Sequence, residues 1–395
     1  MKAQSLALAT SAVLVGLCLW PGRLPAQILT KGGDPLLTVL AIGQAVPVGG
    51  KKGKTPPLAV GDKVRLEAQR DGMAEVVVEE PEASAQTERR FRLPQTALAT
   101  APGKTHLDKP DWLPAPAEAA TESRDVVAYA DGPWIMLLTP GAKPTRVAKG
   151  SAPALSRDAA FLAYSPESGS GVTVVDRTGQ TKPRKFATQN AFVRSMHFSP
   201  DGRRLFWLVD GRIETVDLTA TNPSPVVIHT GLPSDCSLQG STRDGTALVV
   251  QDMTTVTWIG LDGKRLRQEP IGTFTDDPWG SSADTYLPSP ADEALMLVAR
   301  DVVGSAAFAR WGNGPGAALY LYDAKSGTNY RLTPRSLTAA FPAWTPDGKR
   351  IYFAGLPDTP ANGPQGIYRM NADGTELTLL GKGWMPSAGM RPEGR

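Results

Sequence analysis

Three observations predict an all-β protein for this chain of 395 residues. A short turn pattern recurs five times, alternating apolar segments follow each copy, and Gly (40 residues) and Pro (35 residues) exceed average usage. After the N-terminus, no long stretch keeps the 3.6-residue apolar period of an amphipathic helix. We therefore expect sheets joined by tight turns.

The recurring pattern begins with Ser or Thr, called the anchor below. Asp usually follows two residues later, often with Gly next, and a large apolar residue stands six positions after the anchor. The anchors are Ser156, Ser199, Thr242, Ser289 and Thr345, spaced 43, 43, 47 and 56 residues apart. These spacings are close to one four-stranded propeller blade per repeat. Asp-Gly suits a tight turn before a strand, so we expect the repeated aspartates to be structural and not catalytic.

A second signature after each anchor alternates apolar and other residues and stops at an Asp, Asn or Gly turn, which is typical of hairpins. Its five copies are 171–179, 211–218, 255–263, 318–327 and 366–374. Residues 125–147 have similar hairpin strands without an anchor and are interpreted as an irregular first blade. The sequence thus predicts a six-bladed β-propeller over 125–395, with seven blades as the alternative. We expect a strand from 125–150 to complete the last sheet, since the tail is too short for a further blade.

The first 26 residues have the features of a secretory signal peptide. Lys2 precedes an apolar run from about Leu6 to Trp20, and cleavage is expected near Ala26. The alternatives are an uncleaved N-terminal anchor and a lipoprotein modified at Cys18, although Leu17 stands where lipoprotein signals have a small residue. After cleavage no membrane span is expected, and Cys236 is the one remaining thiol, expected to be a buried small residue.

Two segments separate the signal from the propeller. Strand-like sequence over 28–104, with a Val-Gly-Asp turn at 60–62, resembles a small Src-homology-3-like β-barrel. Phe91 is the only aromatic residue between 28 and 105, so we favour a structural barrel over a peptide- or wall-binding module. Residues 105–124 are rich in Pro and Ala and are interpreted as a linker.

The repeats carry a family resemblance. FSPDGRRLFW (198–207), WTPDGKRIYF (344–353) and GIYRMNADGTELTLL (366–380) are similar to the WD-type repeats of TolB-like β-propellers. The final copy matches through Trp344, Pro346, Asp347, Gly348, Tyr368, Met370, Asp373 and Gly374. This resemblance implies a six-bladed propeller outside the cytoplasm that acts as a protein-binding scaffold of the bacterial envelope. The N-terminal region departs from TolB itself, where an α/β domain is expected.

Few residues point to chemistry, and no catalytic, cofactor or metal residue is predicted. No G-x-S-x-G nucleophile motif occurs, and the three histidines, His106, His197 and His229, fall in different parts of the chain. Asp276-Asp277 is a weak candidate for a glycosidase carboxylate pair or a calcium loop, against an ordinary acidic loop. The formal net charge of +3 includes no basic block, which argues against a nucleic-acid partner.

The 56-residue spacing makes room for an insertion over 304–316. Phe308, Arg310 and Trp311 within it, and Trp279 more weakly, are candidate partner-binding residues because aromatic and Arg side chains are favoured interface anchors. The alternative is that these aromatics cover a blade edge. The leading hypothesis is an exported, non-enzymatic propeller that binds a protein or envelope component. The alternatives are a propeller enzyme with carboxylates in its channel, acting on glycans or peptides, and a wall-binding N-terminal module.

Overall fold

A computed structural model describes 37–39, 46–47, 63–70, 73–78, 89–94, 98–100, 105–106, 109–115, 124–139, 141–168, 170–188, 193, 195–275, 280, 284–302, 316–334, 337–357 and 365–392. These residues confirm the all-β prediction, since their regular structure is strand apart from one 3-10 turn at Ile271–Thr273. Across the same ranges, no helix is long and apolar enough to cross a bilayer. The predicted signal peptide lies outside the described residues.

The N-terminal region forms one antiparallel sheet of six strands in the order β2-β5-β4-β3-β1-β6. The strands are β1 (Leu37–Val39), β2 (Val46–Pro47), β3 (Lys63–Arg70), β4 (Met73–Val78), β5 (Arg89–Pro94) and β6 (Leu98–Thr100). β3 and β4 form the hairpin predicted around residues 70–72, with Arg70 opposite Met73. A β-sheet domain therefore precedes the repeats, and its closure into a barrel stays a prediction.

The chain next forms a two-residue strand and six longer strands. These are β7 (Thr105–His106), β8 (Asp125–Asp131), β9 (Trp134–Leu138), β10 (Thr145–Leu155), β11 (Phe161–Pro166), β12 (Val172–Asp176) and β13 (Arg184–Phe186). β8 to β13 belong to one antiparallel sheet. β10 runs through its middle and pairs β9 over 145–149 and β11 over 150–155.

Four sheets that follow each contain four antiparallel strands in the order of a propeller blade, and β7 adds a fifth strand to one of them. Their strands are β14 (Ser195–Phe198), β15 (Arg204–Val209), β16 (Arg212–Asp217), β17 (Val226–His229); β18 (Ser237–Ser241), β19 (Ala247–Gln251), β20 (Thr255–Gly260), β21 (Arg265–Pro270); β22 (Thr285–Pro288), β23 (Leu295–Val302), β24 (Gly316–Asp323), β25 (Thr328–Arg331); and β26 (Leu337–Trp344), β27 (Arg350–Pro357), β28 (Gly366–Asn371), β29 (Thr378–Lys382). The segments 211–218, 255–263 and 366–374 contain the third strands of their sheets and 318–327 contains most of β24, so the prediction that they are strands is confirmed.

The chain ends in β30 (Trp384–Met390), which pairs antiparallel with β8 and makes a seven-stranded sheet of β8 to β13 and β30. The expected direction of closure was therefore wrong. The last sheet, β26 to β29, is complete by itself, and the C-terminal tail completes the first sheet instead.

Apolar side chains between neighbouring sheets form the core. One cluster joins the faces of two adjacent blades through Phe206 and Ile213 on one side and Leu248 and Ile259 on the other. All four are at most 1% exposed. The blades are held face to face by burial of this kind, at roughly 1.5–3 kcal/mol for each large apolar side chain.

The anchor turns share one hydrogen-bond network. In the turn at Ser199, the hydroxyl donates to Asp201 Oδ1 (2.5 Å) and accepts from the backbone N–H of Arg204 (2.9 Å). Asp201 Oδ1 also accepts from the Arg203 N–H (3.0 Å). The same pattern recurs in the turns that begin at Ser156, Thr242 and Thr345. The prediction that the repeated aspartates build turns agrees with this geometry.

The described residues of the predicted linker (105–124) contact the repeat region. β7 adds a parallel strand to the outer edge of β25, pairing Thr105 with Asn329. Further along, Lys109 Nζ donates to Asp373 Oδ2 at 2.6 Å, and Leu113 packs in the core between two blades. Burial raises the pKa of Asp373, but hydrogen bonds from Lys109 and Thr375 outweigh it and lower that pKa overall. This segment therefore fastens residues 105–113 to the repeat region.

Candidate functional site: the central channel

The described residues form a cavity of about 440 Å³. Segments from six strands line it, namely β10, β14, β18, β22, β26 and β30. Each lining segment ends next to an anchor turn or, for β30, at Ala388. We call the end where the six segments begin the upper mouth, and the end beside the anchor turns the lower mouth. The volume falls within the usual range of small-molecule sites.

Three residues at the upper mouth have left-handed backbone conformations. They are Ala152 (φ 49°), Phe341 (φ 52°) and Met385 (φ 50°). Each precedes a proline, and each lies at a β-bulge where the pairing register shifts. A bulge re-aims side chains. A left-handed residue other than Gly costs of order 1–3 kcal/mol, and such strain concentrates at binding sites.

Aromatic and thioether side chains gather at this mouth. The Phe341 ring meets the Trp384 ring edge-on, with 6.1 Å between centroids and an interplanar angle of 79°. Trp384 is 36% exposed, and Phe341 and Met385 are partly exposed and line the cavity. Tryptophan, phenylalanine and methionine are enriched at protein interfaces.

His197 lies within the channel wall and is neutral at physiological pH. One of its ring nitrogens, Nε2, lies 3.0 Å from the backbone carbonyl of Leu238. Burial lowers the His197 pKa to about 4, although the Leu238 carbonyl acts in the opposite direction. A neutral ring with Nε2 donating to this carbonyl leaves Nδ1 as a hydrogen-bond acceptor.

Three hydroxyl groups add polarity to the lining. Ser195 Oγ accepts from the Leu238 N–H (2.9 Å), and Ser387 Oγ accepts from the Leu155 N–H (2.9 Å). Each of these hydroxyls keeps its own hydrogen available to donate. Thr285 Oγ1 is buried in the wall and has no hydrogen-bond partner among the described residues. The channel is therefore an apolar tube with a few polar groups.

The lower mouth is shaped by the residue that follows each anchor. These residues all line the cavity and are Arg157, Pro200, Arg243, Pro290 and Pro346. A second, smaller cavity of about 290 Å³ adjoins this mouth and shares Arg157, Pro200 and Pro346 with the channel. Arg157 Nη2 donates to the Pro346 carbonyl at 2.9 Å, which connects two anchor turns.

The residues that the sequence offers as partner-binding candidates, Phe308, Arg310, Trp311 and Trp279, lie outside the described residues, as do Asp276 and Asp277. Their roles stay predictions. Of the histidines, His197 enters the channel wall, and His229 Nδ1 instead bonds the Gly263 carbonyl (2.8 Å) on the outer part of the next blade. Within the described ranges, no group of three His, Cys, Asp or Glu is placed to hold a metal ion.

Cys236 is buried, as the sequence predicts. The upper-mouth residues Phe341 and Trp384 and the lower-mouth residues Arg157 and Arg243 were not predicted. The sequence does contain a pattern at the upper mouth: a residue followed by proline and then by a small residue occurs at 152–154, 341–343 and 385–387. Proline in an inner strand removes a backbone donor and accompanies a bulge.

The chain has only low sequence identity to known proteins of similar structure. No family model matches the sequence, and no curated protein matches it. Among solved structures, the chain is similar to a putative TolB from Agrobacterium tumefaciens (16% identity, TM-score 0.46, covering 68% of this chain and 99% of that one). It is also similar to TolB from Acinetobacter baumannii (16%, TM-score 0.48, 83% and 82%) and to a chain of a nidogen/laminin complex (10%, TM-score 0.47, 67% and 98%).

Proposed function

We propose that this protein is an exported, non-enzymatic β-propeller that binds a protein partner of the bacterial cell envelope at the upper mouth of its channel. The observation that carries the proposal is the cluster of Phe341, Trp384 and Met385. Phe341 and Met385 combine partial exposure with a left-handed backbone at the rim of the cavity, and Trp384 adds an exposed ring against Phe341. Aromatic groups beside a pocket are the usual centres of binding energy in protein interfaces.

The backbone is strained at two residues of the upper mouth. Phe341 and Met385 both hold left-handed conformations, and nothing in the turn chemistry requires them, since neither is Gly, Asn or Asp. At of order 1–3 kcal/mol each, this strain must be offset by packing elsewhere in the blade. A benefit in binding would explain why the two bulges present these particular side chains at the mouth.

The proposal includes the number of blades and the nature of the N-terminal segments. We infer six blades by dividing the seven-stranded sheet within β10, so that β30, β8, β9 and the first part of β10 form one blade. The second part of β10 forms the next blade with β11, β12 and β13. The six lining strands of the channel support this count. The N-terminal sheet is proposed as the Src-homology-3-like barrel, and residues 1–26 as the cleaved signal of a periplasmic or secreted protein.

The test is affinity capture from the native envelope with three forms of the full mature chain. Trp384→Ala should abolish capture of a reproducible partner, because it removes the exposed ring from the upper mouth. Leu266→Ala is the matched control, since Leu266 is 59% exposed on the outer strand β21, away from the channel. Capture that survives Trp384→Ala, or that Leu266→Ala weakens equally, would contradict the proposed surface.

A second candidate function has one observation in its favour. The carboxylates of Asp235 and Asp284 both belong to residues that line the channel near the upper mouth, as a propeller hydrolase of glycans or peptides would require. Asp284 is 5% exposed, whereas Asp235 is partly exposed. Turnover of a glycan or peptide panel that Asp284→Asn abolishes would establish this enzyme in place of the scaffold.

A further inference from the structure

The lower mouth of the channel has a distinct chemistry from the upper mouth. The position after the anchor faces the channel in all five anchored repeats, and three of the five residues there are prolines. Arg157 and Arg243 occupy the other two. Because the repeats follow one another around the channel, the two arginines flank Pro200 on one arc of the mouth.

Neighbouring anchor turns contact each other along this arc. A Cβ atom added to Gly202 would lie 3.7 Å from Ser156 Cβ, and one added to Gly245 would lie 3.0 Å from Pro200 Cδ. The turns that carry Arg157 and Arg243 are thus held by the single turn between them. The backbone turns that carry these two exposed arginines are therefore fixed on one cavity rim, with a single turn between them.

Neither guanidinium forms an ion pair with any residue that the structure describes. Arg157 donates one hydrogen bond, to the neutral Pro346 carbonyl, and a guanidinium has five N–H donors. The neighbouring carboxylates form no hydrogen bond with the two arginines, because Asp158 Oδ1 and Asp244 Oδ1 accept hydrogen bonds inside their own turns. Hydrogen bonding from Thr242 and Thr246 lowers the pKa of Asp244. Asp244 thus stays ionised beside Arg243 without bonding it, and the remaining N–H donors of both guanidinium groups are left for a ligand.

The interior beyond the arginines suits the body of a small organic molecule. Ala154, Leu155 and Phe198 supply apolar wall, and the hydroxyls of Ser195 and Ser387 supply donors. Thr285 Oγ1 adds a buried hydroxyl with no partner among the described residues. A pocket with apolar walls and a few convergent polar groups is the ordinary form of a small-ligand site.

We infer that the channel binds a small organic anion, whose carboxylate or phosphate group is held at the lower mouth by Arg157 and Arg243. Arginine suits both groups because its planar fork donates two parallel hydrogen bonds to a pair of oxygens. Binding at this mouth leaves the aromatic cluster of the upper mouth uncovered, so the ligand and a protein partner can occupy opposite ends of the channel.

Titration calorimetry at low ionic strength tests the inference with the full mature chain and four probes. Citrate and succinate present carboxylates, glycerol 3-phosphate presents a phosphate, and glucose is the neutral control. We expect at least one anion to bind with a Kd of about 1 mM or tighter and glucose not to bind. The anion that binds identifies the group. Binding of no anion in this range, or equal binding of glucose, would refute the site.

Variants locate the binding. Arg243→Gln should weaken the anion about tenfold or more, the usual effect of losing a charge-assisted hydrogen bond, and adding Arg157→Gln should abolish measurable binding. Arg203→Gln is the matched control, because Arg203 is exposed beside an anchor turn but does not line either cavity. Melting temperatures check that each variant folds. Anion affinity unchanged in the double variant, or lost equally in Arg203→Gln, would overturn the assignment.

Discussion

The propeller closes at a buried hydrogen bond that a single substitution can remove. Tyr352 on β27 donates its hydroxyl to Asp125 Oδ2 at 2.7 Å, and Asp125 begins β8 in the sheet that the C-terminal strand completes. The two residues are 3% and 1% exposed. Tyr352→Phe deletes this bond and leaves the ring, so it tests closure without a change in packing.

The magnitude follows from the chemistry of the pair. A hydrogen bond to a charged group contributes roughly 1.5–3 kcal/mol, and its loss here is moderated because Arg350 Nη1 still approaches Asp125 Oδ2 at 3.2 Å. We expect Tyr352→Phe to lower the free energy of unfolding by about 2 kcal/mol. At about 2–4 °C per kcal/mol, the melting temperature should fall by roughly 4–8 °C.

Burial, and secondarily the charge of Asp125, raise the pKa of Tyr352. A tyrosine with a raised folded-state pKa contributes stability that is present below the unfolded pKa of about 10 and is lost as pH rises above it. The stability difference between wild type and Tyr352→Phe should therefore narrow above about pH 10.

Urea denaturation measured across pH, with melting curves, is the assay. The matched control is Tyr164→Phe, because Tyr164 is a half-buried residue on β11 whose hydroxyl forms no hydrogen bond with a described residue. Its effect should stay within about 0.5 kcal/mol. A Tyr352→Phe protein as stable as the control, or a difference that widens above pH 10, would refute the closure argument.

Three further substitutions test the turns and the channel wall. Gly202→Ala should destabilise the fold by about 1–2 kcal/mol, because Gly202 has φ +70° and the added Cβ strains a left-handed turn, as a melting curve would detect. Asp201→Ala should cost about 1 kcal/mol in urea denaturation through loss of its two turn hydrogen bonds, with partner binding at the upper mouth unchanged. His197 has a lowered pKa of about 4, so the native state disfavours its protonation and its contribution to stability is lost as pH falls from about 6.5 through 4. Urea denaturation at pH 7 and pH 4 should therefore show that the free energy of unfolding falls less for His197→Gln than for wild type, by up to about 3 kcal/mol. An equal fall in both proteins would contradict a neutral His197 ring.

The repeat was predictable because its signal is local. Ser199, Asp201 and Gly202 act within one turn, so their spacing alone indicates the turn and the strand that follows. The third strands of the blades were predictable for the same reason, since alternation over five to eight residues is enough to indicate a strand. These features establish most of the repeat region without any long-range information.

The remaining features depend on contacts between distant parts of the chain. β30 pairs with β8 across more than 250 residues, and no local pattern indicates which terminus supplies the closing strand. β7 docks on β25 although two residues of strand carry no periodicity. Arg157 and Arg243 line the same mouth only because the repeats are arranged around a channel. In the sequence, each is an ordinary charged residue in a turn.

Site-specific photo-crosslinking in the native host would show where on the propeller a partner binds. A photoreactive residue in place of Trp384 samples the upper mouth, and one in place of Leu266 samples the outer edge of a blade. We predict that position 384 crosslinks to one discrete envelope protein and that position 266 does not. A crosslinked partner at 266 and none at 384 would contradict the claim that this propeller acts as a scaffold through the upper mouth of its channel.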